Sequence, residues 1–324
     1  MVLRKNCAFD NVINIILALL ITFLLSVTLS LSARSSEEST TQTSLEAEKA
    51  YIAFDRGEYL TALKEALILA GQGQAEAHTL IGRIYEQGLG VPQDETQAAS
   101  WYLRGAELGD MHSQFALGVL VAEGRGVKKD STAAAEYFEL AAKQGHAEAQ
   151  YNLALIYIEG RGRSENLSKA AEWLEKSAQL GNIRAQYDLG TLYVLGRGIE
   201  KDQSKAADWI GKAAVAGLVE AQVEYAIMLF KGRGTEKDPK RAVEYFRSAA
   251  LKGNAIAQNR LARLLFHGIS VKPDPVEAAK WHYLARDAGV SDFQLDLLIS
   301  KLSKEQKEEA RKAAADWQSA NILN

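Results

Sequence analysis

Residues 149–162 read Ala-Gln-Tyr-Asn-Leu-Ala-Leu-Ile-Tyr-Ile-Glu-Gly-Arg-Gly, and residues 185–198 read Ala-Gln-Tyr-Asp-Leu-Gly-Thr-Leu-Tyr-Val-Leu-Gly-Arg-Gly. The two phrases lie 36 residues apart. The first glycine of the closing pair recurs at the same step, at Gly88, Gly124, Gly160, Gly196, Gly232 and Gly268. A second series recurs at Gly109, Gly145, Gly181, Gly217, Gly253 and Gly289. A chain with this period does not build one central core. Each repeat is a supersecondary unit that hides its apolar face only by stacking on the next.

Within each repeat the apolar spacing predicts two helices. Helix A falls near 77–87 in the first copy, and helix B near 95–107 after a Gly-x-Gly turn. Helix B starts at a polar residue in every copy: Asp94, Asp130, Asn166, Asp202, Asp238 and Asp274. Such side chains accept from the free N–H groups of a first turn. Pro239 and Pro275 follow two of these caps, where a missing N–H costs nothing. The second glycine series suits left-handed residues that end helix B, and Asp110, Asn182 and Asn254 then suit caps of the following helix A.

Small residues recur at one helix B site (Ala98, Ala134, Ala170, Ala206, Ala242, Ala278) and at one helix A site (Gly82, Gly118, Ala154, Gly190, Ala226, Ala262). They predict close approach of neighbouring helices. Trp101, Tyr137, Trp173, Trp209, Tyr245 and Trp281 are then expected to fill the space between hairpins.

The register Ala-Gln-x-x-Leu-Gly-x-x-Tyr-x-x-Gly-x-Gly, followed by Asp-x-x-x-Ala-x-x-Trp and Ala-Ala-x-x-Gly, resembles the SEL-one-like repeat family, itself similar to tetratricopeptide repeats. The resemblance covers about 75–290, with six copies in one frame. It implies an all-α, right-handed α-solenoid of tandem helical hairpins, a role as a protein-binding scaffold, often bacterial, and no chemistry. Some secreted members staple each hairpin with a disulfide. Here the single cysteine, Cys7, precedes the first hydrophobic segment, so functions proposed for that branch carry over poorly.

The chain divides into five stretches. In 1–33, Arg4 and Lys5 precede an uncharged run from Asn11 to Ala33 whose exit is small and polar. This pattern fits a secretory signal cleaved after Ser32 or Ala33. It equally fits an uncleaved anchor, with residues 12–32 in the inner membrane. Either way the basic end stays cytoplasmic and the repeats are expected in the periplasm. Residues 34–45 read as a flexible linker and 46–74 as a degenerate first hairpin that caps the stack. The six repeats occupy 75–290, and 291–324 read as C-terminal capping helices, with an interaction helix as the alternative. Ser270 stands where the sixth repeat should carry its second turn glycine.

Candidate binding residues come from sorting helix A by its period. The positions left for solvent give a stripe that includes Glu123, Asn152, Glu159, Asp188, Glu224, Lys231 and Arg260, with Gln87 and His267 at its ends. In tetratricopeptide-like solenoids helix A lines the concave side, so this stripe is a candidate grip for a partner peptide or helix. A plain solvated face is the alternative. A second row, Arg125, Arg161, Arg197 and Arg233, lies between the turn glycines and offers itself to anionic groups, or simply to water.

Chemistry has little to stand on. With 38 Lys and Arg against 41 Asp and Glu, the chain lacks the basic excess that phosphate backbones demand, so nucleic acid is not expected. The five histidines show no metal spacing, and no cofactor or metal is expected. Ser-x-x-Lys, Gly-x-Ser-x-Gly and a phosphate loop are missing from the sequence. The expectation is a non-enzymatic scaffold that organises an envelope complex or restrains a membrane sensor. Two alternatives stay open: an envelope enzyme acting on peptidoglycan or β-lactams, and a secreted factor that binds a host protein.

Overall fold

A computed structural model describes residues 48–322. The proposed signal or anchor, residues 12–32, and the linker at 34–45 lie outside the described residues. Among the described residues no helix is long and apolar enough to cross a membrane. The fold is all-α, of the α-solenoid class, and its helices fall into two compact units divided between Lys129 and Asp130.

The first unit holds α1 (48–55), α2 (Tyr59–Gly71), α3 (Ala75–Gln87), α4 (Glu95–Glu107) and α5 (Met111–Glu123). The second holds α6 (Ser131–Lys143), α7 (Ala147–Glu159), α8 (Leu167–Gln179), α9 (Ile183–Leu195), α10 (Gln203–Val215), α11 (Val219–Lys231), α12 (Pro239–Leu251), α13 (Ala255–His267), α14 (Pro275–Asp287), α15 (Phe293–Ser300) and α16 (Lys304–Ile322). From α2 to α5 and from α6 to α15 consecutive helices pack on one another, and α16 turns back onto α14.

Caps set the starts of most of the thirteen-residue repeat helices. Asp202 accepts at Oδ1 from the N–H groups of Ser204 and Lys205 at 2.9 and 3.0 Å. Asp94, Asp130, Asn166, Asp238 and Asp274 cap their helices in the same way. Asp110, Asn182 and Asn254 cap helix A, and so does the imidazole of His146, which accepts from Ala149. Helix A ends on left-handed Gly88, Gly124, Gly160, Gly196, Gly232 or Gly268. Helix B closes differently. Gly109 donates to the Ala106 carbonyl and Asp110 to the Gly105 carbonyl, each at 3.0 Å, which together satisfy two orphan carbonyls.

The glutamine of the Ala-Gln motif ties helices together. Gln114, Gln150, Gln186, Gln222 and Gln258 each donate from Nε2 to an alanine carbonyl at the end of the preceding helix B: Ala106, Ala142, Ala178, Ala214 and Ala250. The glutamines are buried, and a buried amide needs such a partner.

The small residues sit where expected. The six helix B alanines from Ala98 to Ala278 are closed off from solvent. A Cβ on Gly82 would stand 2.5 Å from the Tyr102 ring, and one on Gly190 2.5 Å from Cγ1 of Ile210. The large aromatics differ from expectation. Only Trp281 is fully buried, while Trp101, Tyr137, Trp173, Trp209 and Tyr245 are half-buried. The deep position is one residue further on, at Tyr102, Phe138, Leu174, Ile210, Phe246 and His282. Each tryptophan rests on the shoulder of that face. A cation from the next turn covers it in three copies: Arg104 over Trp101, Lys176 over Trp173 and Lys212 over Trp209.

Candidate functional site

In the second unit, α11, α13 and α15 surround a pocket of about 330 Å³. α15 is short. This helix follows α14 where another helix A would stand, but it has eight residues against thirteen in α13. Leu264 and His267 of α13 and Ile269 of the turn after it line the pocket. Ile227 and Phe230 of α11, Phe246 of α12, and Leu295 and Leu298 of α15 complete an apolar lining, with Gln294 beside them. Lys231, Arg260, Arg263 and His267 supply the nitrogen-bearing side chains.

One of those cations has a structural partner. Arg263 Nε donates to Asp292 Oδ2 at 2.5 Å, and Asn259 Nδ2 donates to the same oxygen at 3.0 Å. The other oxygen accepts from the Leu295 N–H at 3.2 Å, capping α15. Burial opposes the charge on Asp292, but the bonds from Arg263, Asn259 and Leu295 outweigh it and hold its carboxyl below the ordinary carboxylate value. A carboxyl whose pKa is lower folded than unfolded stabilises the fold above its unfolded pKa, and loses that effect as pH falls through the folded value. Acid is therefore expected to loosen α15 from α13. Asp292→Asn should flatten that acid limb, as read by thermal melting between roughly pH 6 and pH 2.

Lys231 and Arg260 are exposed, and no carboxylate among the described residues lies within ion-pair distance of either. The structure thus brings together the basic end of the helix A stripe, Lys231, Arg260 and His267. Several other residues of the stripe have partners of their own. Glu123 lies in the first unit, paired with Arg125 at 3.2 Å. Glu159 is exposed and paired with Arg161. Asn152 and Glu224 are half-buried. Asp188 accepts from the Tyr151 hydroxyl at 3.0 Å. Burial raises the Asp188 carboxyl pKa, against the pull of that bond, and burial together with Asp188 pushes the Tyr151 hydroxyl up to about 12.

Two of the four turn arginines, Arg125 and Arg161, are paired with carboxylates, while Arg197 and Arg233 are exposed. Arg125 meets Glu95 at 2.8 Å, Glu86 at 3.1 Å and Glu123 at 3.2 Å. Glu86 in turn accepts from the buried Tyr102 hydroxyl at 2.8 Å. Arg125 therefore clamps the turn between α5 and the first turn of α4, and Arg161 is paired with Glu159. Among the described residues no group of three or more His, Cys, Asp or Glu side chains is placed to hold a metal ion.

Six consecutive matches to the Sel1 repeat cover 75–110, 112–146, 147–182, 183–218, 219–254 and 255–290. The chain is a Sel1-repeat protein. Sel1 repeats are in general protein-interaction modules. The chain is similar to the crystal structure of a protective antigen present in uropathogenic Escherichia coli strains, which displays an SLR fold. That match has 32% identity and a TM-score of 0.75, over 85% of this chain and 61% of the other. This Sel1-repeat chain thus spans about three fifths of the antigen's length. It is also similar to a Sel1 repeat protein from Oxalobacter formigenes, at 29% identity and a TM-score of 0.63, over 76% of this chain and 99% of the other. No curated protein matches it.

Sequence reasoning did not find the pocket's apolar lining or Arg263. Leu295 and Leu298 fall in the stretch 291–324, which reads only as capping helices. The available signal was the lack of a Gly-x-Gly turn after Ser300, which marks a hairpin that does not complete the repeat.

Proposed function

We propose that this Sel1-repeat protein is a non-catalytic scaffold of the bacterial envelope that holds a partner protein on its helix A surfaces. The carrying observation is the unbroken run of six protein-interaction repeats over 75–290. The basic and then apolar N-terminal segment supports export, with the repeats on the periplasmic side. The buried polar groups support a binding role over a catalytic one: the glutamines, Asp188 and Asp292 are all engaged in holding helices together. The likeness to an antigen of a pathogenic strain favours a second reading, exposure to a host protein.

Affinity capture from envelope extract tests the proposal. The baits are the full chain, a Glu159→Lys/Glu224→Lys variant and a Lys231→Glu/Arg260→Glu variant. The expected result is a protein held by the unaltered chain and weakened by one charge reversal with no change in melting temperature. A chain that retains no protein but turns over muropeptides or a β-lactam would replace the scaffold with an enzyme. Recovery of the chain outside the cell, with capture of a host protein, would favour the second reading.

A further inference from the structure

We infer that the pocket between α11, α13 and α15 takes a short peptide segment in which an apolar side chain is flanked by carboxylates. This rests on the reading of the protein as a protein-binding scaffold and specifies what that scaffold grips. The pocket's volume, about 330 Å³, lies near the low end of the roughly 300–1,000 Å³ typical of ligand sites. It suits one or two apolar side chains entering from a chain that runs across the mouth.

The floor asks for an apolar anchor. Phe230, Leu264, Leu295 and Leu298 face the space, and a polar group placed against them would lose its water without gaining a partner. The rim asks for negative charge. Lys231 closes α11 and Arg260 lies in the first turns of α13. Both are exposed, and neither has a carboxylate within ion-pair distance among the described residues. Asp292 is buried and already accepts from Arg263 and Asn259, and Asp296 of α15 meets His282 at 2.8 Å, so neither acid is spent on Lys231 or Arg260. On a chain with slightly more acidic than basic residues, this cationic rim around an apolar floor is a local departure. Carboxylates flanking the anchor would be steered to it, with salt-dependent association.

The test is selection of a display library of random twelve-residue peptides on the full chain. Enriched peptides are then measured by fluorescence anisotropy against the unaltered chain, Lys231→Glu/Arg260→Glu, and Ile269→Asp. The expected peptides pair Leu, Phe or Ile with Asp or Glu. They should lose about tenfold or more in affinity for each variant, and weaken as salt rises. Both variants alter exposed positions, and an unchanged melting temperature establishes that they fold.

Enriched peptides that lack acidic residues, or that bind the variants equally well, overturn the assignment. Enrichment of nothing, with saturable binding of sodium laurate that the same variants abolish, overturns it in favour of an amphiphilic carboxylate. A partner protein captured equally by the chain and by both variants would leave the scaffold standing and remove the pocket. Pocket-dependent peptides with no captured protein would do the reverse.

Discussion

Replacing Gly198 by alanine is expected to destabilise the second unit by about 3 kcal/mol, combining a left-handed backbone penalty with forced overlap. Gly198 has φ +73, and a Cβ built on it would stand 2.3 Å from the carbonyl oxygen of Leu167 and 2.4 Å from its carbonyl carbon. Those atoms belong to the first turn of α8. They are backbone and cannot rotate away as a side chain would. The same contact recurs at three other turns: Gly126 on Glu95 at 2.2 Å, Gly162 on Ser131 at 2.1 Å and Gly234 on Gln203 at 1.8 Å.

Gly181→Ala is the control. Its φ is +91, but nothing lies within 4 Å of the added carbon, so only the backbone cost of roughly 1–2 kcal/mol applies. Ser270, the sixth repeat's counterpart of Gly198, holds φ 59 with a side chain present, so the left-handed angle alone does not demand glycine. At Gly198 the contact with Leu167 adds to the cost of the angle. Urea unfolding of the two variants checks this, and equal losses would remove the stacking contact as the reason for the glycine.

The period, the helix pairs and their caps were legible in the sequence because each depends on residues a few positions apart. Asp202 and the N–H groups of Ser204 and Lys205 are neighbours along the chain, so the cap can be read without knowing the fold. Gly196 reads as a helix end for the same reason. Gly198, two residues on, carries no different mark in the sequence, yet its constraint comes from a carbonyl 31 residues earlier, which only the stacking reveals. Surface assignment failed where a distant partner intervened. Asp188 sits at a helix A position that the period leaves for water, but the Tyr151 hydroxyl covers it from α7. Arg125 lies in a turn between glycines, but three carboxylates on α3, α4 and α5 converge on it. The pocket's lining was out of reach because it draws on α11, α12, α13 and α15, which only the stacking brings together.

Trp281→Ala is expected to cost about 3–5 kcal/mol, the range for deleting a buried large aromatic. The Trp281 side chain is 1% exposed, and its ring meets Trp317 of α16 edge to face at 6.1 Å. Its Nε1 donates to Glu277 at 3.1 Å, and Glu277 also pairs with Arg247 at 2.5 Å. The substitution leaves a void between α14 and α16 and takes one donor from a carboxylate that Arg247 still holds. Trp209→Ala, at the equivalent place in the fourth repeat, is expected to cost less, roughly 1–2 kcal/mol, because the ring is half-buried at the edge of the core and water can fill the site. Trp317→Ala and the double variant complete a cycle whose coupling should be about 0.5–1.5 kcal/mol. A coupling near zero would mean that α16 is held by Ala310 and Ala314 against α14 and not by the tryptophan pair. Equal losses at Trp281 and Trp209 would mean that burial at this site is uniform along the repeats, and that the closing of the stack by α16 adds nothing to the last one.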